Sequence, residues 1–475
     1  MSGNFEFLKK YNKEVFKLVS AGERSLKTDI IFAGTSLRKA LERFVNDIAI
    51  SFPEVKTIAK KLPDGTTTHN LINIMRIDIN SMDVNEPYKV FSFNRITDDE
   101  LFKCREDNKL CNRKYEIFNR AMIRRRIYDE ADFVRIMGND FTHENPKDRM
   151  FKRTYENILD AYRYFHRMLK NYYCKKQSVP DFKEDCIPIG NFEILSCCLP
   201  NDANITCCRR EYVGKYIESD RFLNETSNWA IIREYRKEKM DENFLLRGYD
   251  SQILAKKDIS GVPVGMTRIE VLSKFSNEKS PFYIIAYVFQ RRPVPLAEVL
   301  SSLSDSNKYS IAIKIADCFR NLHNSKSPIY HRMFNYNCVY LCDYTDEKEY
   351  GEWLPAIVKF DFSKIEDSRV KTVFAPAQNA VECLNNKEGK YISPEWKSNP
   401  TCSNWEKVDI YALGVLLADI FSNKILDTVD EFFDIENLED KIDNTILILI
   451  DEMLSNDVKQ RPNANTVYQI LIDCK

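Results

Sequence analysis

Nearly all of the strand-like runs in this chain fall between residues 191 and 289, and that confinement limits the folds open to it. NFEILSCC, ITCCRREYVGKY, NWAIIREY, TRIEVLSKF and PFYIIAYVF are rich in β-branched and aromatic residues, and turn signals such as LPNDAN and SNEKS separate them. Within the same window ENFLLRGYDSQILAKK has a helical pattern. On both sides the chain reads as helical. Residues 28–50 put Leu37, Leu41 and Phe44 on one side of a helix, and residues 153–170 put Ile158, Tyr162, Phe165 and Leu169 on one face. The stretch 52–95 is rich in turns, and LPDGTTTHN predicts a loop or hairpin. QSVPDFKEDCIPIGN mixes Pro, Gly and both signs of charge and predicts a linker. The expected fold class is therefore α+β: an all-α domain over 1–175, a linker over 176–190, a β-rich lobe over 191–295 and a helical lobe over 296–475.

Charge excludes little beyond a global basic field. The 475 residues carry a net charge of −1, which leaves room only for a local patch that binds nucleic acid. MSGNFEFLKKYNKEVFK has no basic segment followed by an apolar run, and no apolar run is long enough to span a bilayer. The expectation is a cytoplasmic protein without a membrane partner. Fourteen scattered cysteines then read as reduced thiols rather than a disulfide framework. Cys197-Cys198 and Cys207-Cys208 make a poor zinc chelate, because adjacent strand residues point to opposite faces; facing strands of one hairpin fit them better.

Five short motifs occur in a fixed order over roughly residues 185–475: His331-Arg332-Met333, Asp361-Phe362-Ser363, Ser393-Pro394-Glu395, Asp409-Ile410-Tyr411-Ala412-Leu413-Gly414 and Arg461-Pro462. This series resembles the protein-kinase family, with its His-Arg-Asp, Asp-Phe-Gly, Ala-Pro-Glu, Asp-x-Tyr/Trp-x-x-Gly and Arg-Pro motifs. The resemblance implies that Glu395 pairs with Arg461 and that Asp409 accepts hydrogen bonds from the backbone around His331 and Arg332. It also implies that the chemistry is degraded. Met333 stands where the catalytic Asp accepts the substrate proton, Asn335 where the catalytic-loop Lys belongs, and Cys338 where an Asn holds the second magnesium. Asn337 is one residue early. LPNDAN has no glycine to cradle a phosphate. A Val-Ala-Ile-Lys register puts Ile232 at the third-strand Lys, with Arg233 or Lys237 needing another register and Asp250 as its loose partner. Only Asp361, the expected magnesium ligand, is retained. The resemblance thus points to a pseudokinase, with ATP and magnesium as doubtful ligands. Cys338 has two readings, a reactive thiol or a small packing residue.

In the helical half, ADFVRIMGNDFTHEN contains Arg135, Gly138-Asn139 and His143. With TSLRKALERF, which supplies Arg38 and Glu42, it resembles a branch of the HEPN superfamily of small helical domains carrying Arg-x-x-Gly-Asn-x-Ala-Ala-His. In the superfamily's better-known ribonucleases the Arg and His lie closer together; here seven residues intervene. The resemblance implies metal-independent RNA cleavage with no cofactor. His143 would act as base, Arg135 would hold the phosphate and Asn139 would orient one of them, with Glu42 as a further candidate. It also implies a dimer, or a higher even oligomer, with two motifs facing a shared cleft. Arg120, Arg124, Arg125 and Arg126 are candidates to track an RNA backbone. Structural alternatives stand beside these: His143 as a helix-junction residue, the arginines as a solvated face pairing with Glu116, Asp129 and Glu130, and Gly138-Asn139 as a helix stop.

Together the resemblances imply an RNA-cleaving or RNA-binding effector held in check by a pseudokinase that senses an unknown protein or ligand. Such fusions are similar to prokaryotic antiviral-defence and toxin proteins. The alternatives are a non-catalytic dimeric signalling scaffold and a divergent ATP-dependent kinase.

Overall fold

The computed structural model describes residues 3–51, 56, 59–60, 64–76, 111–143, 147, 149–174, 179–200, 208–216, 229–236, 265–273, 281–346, 352–360, 363–365, 386–398, 404–435 and 442–475. The fold is mixed α+β, and contacts divide it into two compact units that meet in sequence between Ile194 and Leu195.

The first unit is built from α1 (Lys13–Ser25), α2 (Ile30–Ser51), α3 (Thr68–Arg76), α4 (Cys111–Thr142) and α5 (Tyr155–Tyr173). Three of these starts have a visible chemical cause. Asn12 accepts from Val15 N at 3.0 Å and Thr154 from Asn157 N at 3.2 Å, while Asp29 takes the first free amides of α2. Helix α2 packs on α1, α3, α4 and α5, and α4 also packs on α3 and α5. Leu37, Leu41 and Phe44 are buried, as are Ile158, Tyr162, Phe165 and Leu169. Two glycines let α2 and α4 approach. A Cβ on Gly34 would lie 2.2 Å from Phe141 Cβ, and one on Gly138 would lie 2.9 Å from Arg38 Cβ.

Three local expectations change. Gly138-Asn139 does not stop the helix; α4 runs on to Thr142, because Gly138 serves a helix crossing rather than a turn. LPDGTTTHN is a turn only in its first part, where Asp64 and Gly65 have positive φ. Thr67 then accepts from Asn70 N at 3.3 Å, and α3 begins. The expected linker is not one over its described part. Ile187 and Ile189 are fully buried, Gly190 N donates to Arg24 O at 3.1 Å, and Asn4 bonds Lys183 at both its amide and its carbonyl. Apolar residues among the prolines and charges tie it to the helical unit.

The chain then forms a five-stranded sheet of β1 (Phe192–Cys198), whose first three residues belong to the first unit, β2 (Cys208–Tyr216), β3 (Trp229–Arg236), β4 (Met266–Ser273) and β5 (Phe282–Phe289), in the order β1-β2-β3-β5-β4. The pairings β2–β3, β3–β5 and β4–β5 are antiparallel. Strand β5, FYIIAYVF, is buried along its whole length. A second sheet interrupts the region expected to be mostly helical: β6 (Pro293–Pro295), β8 (Val339–Asp343) and β9 (Trp353–Ile357), in the order β6-β8-β9. A separate two-residue pair joins β7 (Ile329–Tyr330) to β10 (Lys364–Ile365). The helices are α6 (Asp305–His323), α7 (Trp405–Phe421), α8 (Asn444–Leu454) and α9 (Ala464–Asp473). Helix α7 is apolar on almost every side, as a helix enclosed by others must be. The helical pattern at 242–257 and the turn SNEKS lie outside the described residues.

Candidate functional site

The second unit centres its polar residues on Asp409, a carboxylate without solvent exposure on α7. A charge in that position survives only if it is fully bonded. It accepts from His331 N at 2.8 Å and Arg332 N at 2.7 Å, with His323 Nε2 at 3.1 Å. These bonds hold Arg332 at a φ of 70°. The Arg332 guanidinium lies over the Trp405 ring at 4.4 Å. His331 Nε2 meets Val358 O at 3.1 Å; burial lowers its pKa, against the opposing pull of Asp409. Arg461, fully buried, makes a bidentate pair with Glu395 at 2.6 and 2.9 Å.

Around this frame the positions of chemistry are closed. Met333 and Cys338 are buried, and the Cys338 thiol donates to Met333 O at 3.7 Å, so the packing reading of this cysteine fits better than the reactive one. Asn335 accepts from Asn337 N at 2.9 Å, and Asn337 donates to Glu388 at 2.8 Å instead of pointing toward a metal. Asp361, Lys237, Asp250 and most of LPNDAN lie outside the described residues. On the third strand Ile232 and Arg233 are both buried. Arg233, not Ile232, carries the buried cation, directly across from Glu211 on β2, with Nη1 3.7 Å from its carboxylate. Glu211 is also 3.4 Å from Lys359 Nζ and accepts from Tyr340 OH at 3.1 Å. Burial first, then Glu211, push the Tyr340 phenol well up, so it stays a donor. Met333 and Cys338 offer no side-chain oxygen to a magnesium ion, and Asn337 is engaged by Glu388.

The first unit leaves its motif residues more open. Asp132, Arg135, Asn139, Thr142 and His143 recur at helical spacing along one side of α4. At one end, Arg38 on α2 donates to Glu42 at 2.9 Å and to Thr142 Oγ1 at 3.0 Å, and Thr142 donates to Asn139 O at 2.8 Å. His143 is exposed. Its carbonyl accepts from Arg149 Nε at 3.0 Å and from Arg153, which ties the end of α4 to the chain that follows. Asp140 is buried and accepts from Met150 N and Phe151 N, fixing the same turn.

Arg135 and His143 are not brought together. Eight residues along a helix amount to about 12 Å of rise, and Arg135 turns back to Asp132 at 2.8 Å. A residue the sequence argument missed joins it: His69, on α3, has Nδ1 3.7 Å from the same Asp132 oxygen. Thr67, whose hydroxyl starts α3, and the Asp132–Arg135 spacing were visible locally, but neither reports that the two helices meet at His69. The side chains of Arg120, Arg124, Arg125, Arg126 and Glu116 lie outside the described residues. Glu130 is buried and bonds Arg167 of α5 at 2.7 Å.

Among the described residues no three His, Cys, Asp or Glu side chains gather as a metal site, and no helix is long and apolar enough to cross a membrane. No family model matches this chain, and no curated protein matches it.

Proposed function

We propose that this chain is a two-part effector: a HEPN-like helical domain that binds and cleaves RNA, fused to a kinase-like domain that does not transfer phosphate and instead senses a protein or ligand. The observation that carries the reading is the half-open polar side of α4, with Arg135, Asn139 and His143 at helical spacing and the Arg38–Glu42 pair bonded to its end. Arg135 supplies a cation for a phosphate, and histidine is the side chain suited to proton transfer near neutral pH. The strand order β1-β2-β3-β5-β4, the Asp409 bonds to His331 N and Arg332 N and the Glu395–Arg461 pair support the kinase-like reading. Met333 and the engaged Asn337 support its loss of catalysis. An even-numbered assembly, a cytoplasmic setting and a role in prokaryotic antiviral defence or growth arrest follow by analogy with such fusions.

A second reading, a non-catalytic dimeric scaffold, is favoured by one observation: Arg135 is engaged by Asp132 and lies about two helical turns from His143. The two readings part in one experiment. Full-length protein is incubated with total cellular RNA in chelator, beside Arg135→Ala. The effector reading expects cleavage by wild type and loss in the variant; intact RNA at every protein concentration would favour the scaffold.

A further inference from the structure

We propose that His69, rather than His143, is the base of the RNA-cleaving site, and that Asp132 holds this base and the phosphate-binding Arg135 on one carboxylate. This inference rests on the RNA-cleaving reading above. Three groups from two helices converge. Asp132 Oδ1 receives Arg135 Nε at 2.8 Å and lies 3.7 Å from His69 Nδ1, an ion-pair distance that a hydrogen bond would shorten. Catalytic hydrogen bonds are often long before substrate arrives.

The protonation pattern follows from the neighbours. Asn73, one turn along α3, has its amide nitrogen 3.0 Å from His69 Nε2. An amide nitrogen only donates, so Nε2 carries the lone pair and Nδ1 carries the hydrogen, which faces Asp132. A base oriented by a carboxylate behind it, with its free nitrogen outward, is the arrangement nucleophile activation requires. Asn73 is the group a substrate hydroxyl displaces. Arg135 spends Nε on Asp132, and among the described residues no protein acceptor engages its two terminal nitrogens. They are the pair a phosphate accepts bidentately. His69 is about half exposed, and Asp132 and Arg135 are about one-fifth exposed, so a strand can reach all three.

The substrate class is a single strand with a ribose 2′-hydroxyl. His69 Nε2 takes the proton of that hydroxyl, and the 2′-oxygen bonds to the adjacent phosphorus. The bond from phosphorus to the 5′-oxygen breaks, and the leaving oxygen takes a proton from water. The products are a 2′,3′-cyclic phosphate and a 5′-hydroxyl. The imidazolium returns its proton to solvent, and no metal or oxidant enters. Asn139, one turn further along α4, and His143, just past its end, contact the strand beyond the scissile bond.

The test uses the full-length protein and a labelled single-stranded RNA in chelator, with the all-deoxy strand as control. kcat and KM are measured across pH for wild type, His69→Asn, Asp132→Asn and His143→Ala. His69→Asn is expected to lower kcat by about 10²-fold or more, the scale of general-base catalysis, and to abolish the rise of rate with pH. Asp132→Asn is expected to lower kcat while keeping that rise. His143→Ala is expected to raise KM and leave kcat and the pH profile in place. An unchanged thermal midpoint in each variant excludes unfolding as the cause. Wild-type kcat and pH profile in His69→Asn, with activity lost in His143→Ala, would overturn this inference and leave the nuclease reading standing. Intact RNA with wild type would overturn both.

Discussion

The two regions that carry motifs treat their polar residues in opposite ways. Around Asp409 the charged and polar atoms are buried and bonded to one another: Asp409 to two backbone amides and His323, Arg461 to Glu395, Glu211 to Tyr340 between two cations. Along α4 and just past its end the motif side chains are partly exposed or exposed, and Asn139 and His143 have no side-chain hydrogen bond among the described residues. A carboxylate as fully bonded as Asp409 fixes a fold and has little capacity left for a ligand, although His323 Nδ1 and His331 Nδ1 are buried without a partner among the described residues. Open groups at regular spacing on a helix cost little stability and keep their hydrogen-bonding capacity for a ligand. The same kind of sequence signal, a short motif, marks buried architecture in one unit and an open polar face in the other.

Substitutions can break this contrast. The largest effect is expected at Asp409→Ala, which strands two buried backbone donors; roughly 2–6 kcal/mol of stability is lost at one to three per donor, measured by denaturant unfolding. An unchanged midpoint would mean the network is not structural.

The helical unit has one buried carboxylate that behaves like those of the other unit. Glu23 is fully buried, accepts from Asn4 N and Nδ2, and has its pKa raised from 4.5 to about 7, first by burial and against the Asn4 bonds. A carboxyl with a raised folded pKa contributes stability that is complete below 4.5 and is lost as pH rises through about 7. Glu23→Gln should therefore gain on wild type by about 3 kcal/mol between those limits, read from unfolding curves at pH 4.5 and 8. A constant difference across pH would contradict the assignment. Gly34→Ala, forced against Phe141, is expected to cost about 1–3 kcal/mol through overpacking, read as a lowered thermal midpoint. The smallest effect is expected at His143→Ala, within about 0.5 kcal/mol as for other exposed sites. A large loss would make His143 a helix-junction residue after all.

Much of this was legible in the sequence because it rests on periodicity. The apolar faces of α2 and α5 follow from spacing, and the five strands of the first sheet from β-branched and aromatic runs between turn signals. The Glu395–Arg461 pair was legible because a pair so far apart in sequence came with recognisable neighbours. Three things were not. Which β3 residue meets Glu211 stayed open, because Ala230 to Tyr235 are all buried and alternation cannot choose among them. The stretch taken as a linker hid Ile187 and Ile189 among charges and prolines. His69 escaped because its partner Asp132 is 63 positions away, and no local pattern reports a contact between helices.

The central claim is a division of labour, with RNA chemistry in the helical unit and no phosphoryl transfer in the other. The most direct measurement gives full-length protein single-stranded RNA in chelator and, in a parallel sample, magnesium with γ-labelled ATP and a protein substrate. The account predicts shortened RNA bearing 2′,3′-cyclic phosphate ends and no label transferred. Intact RNA together with labelled protein would contradict it.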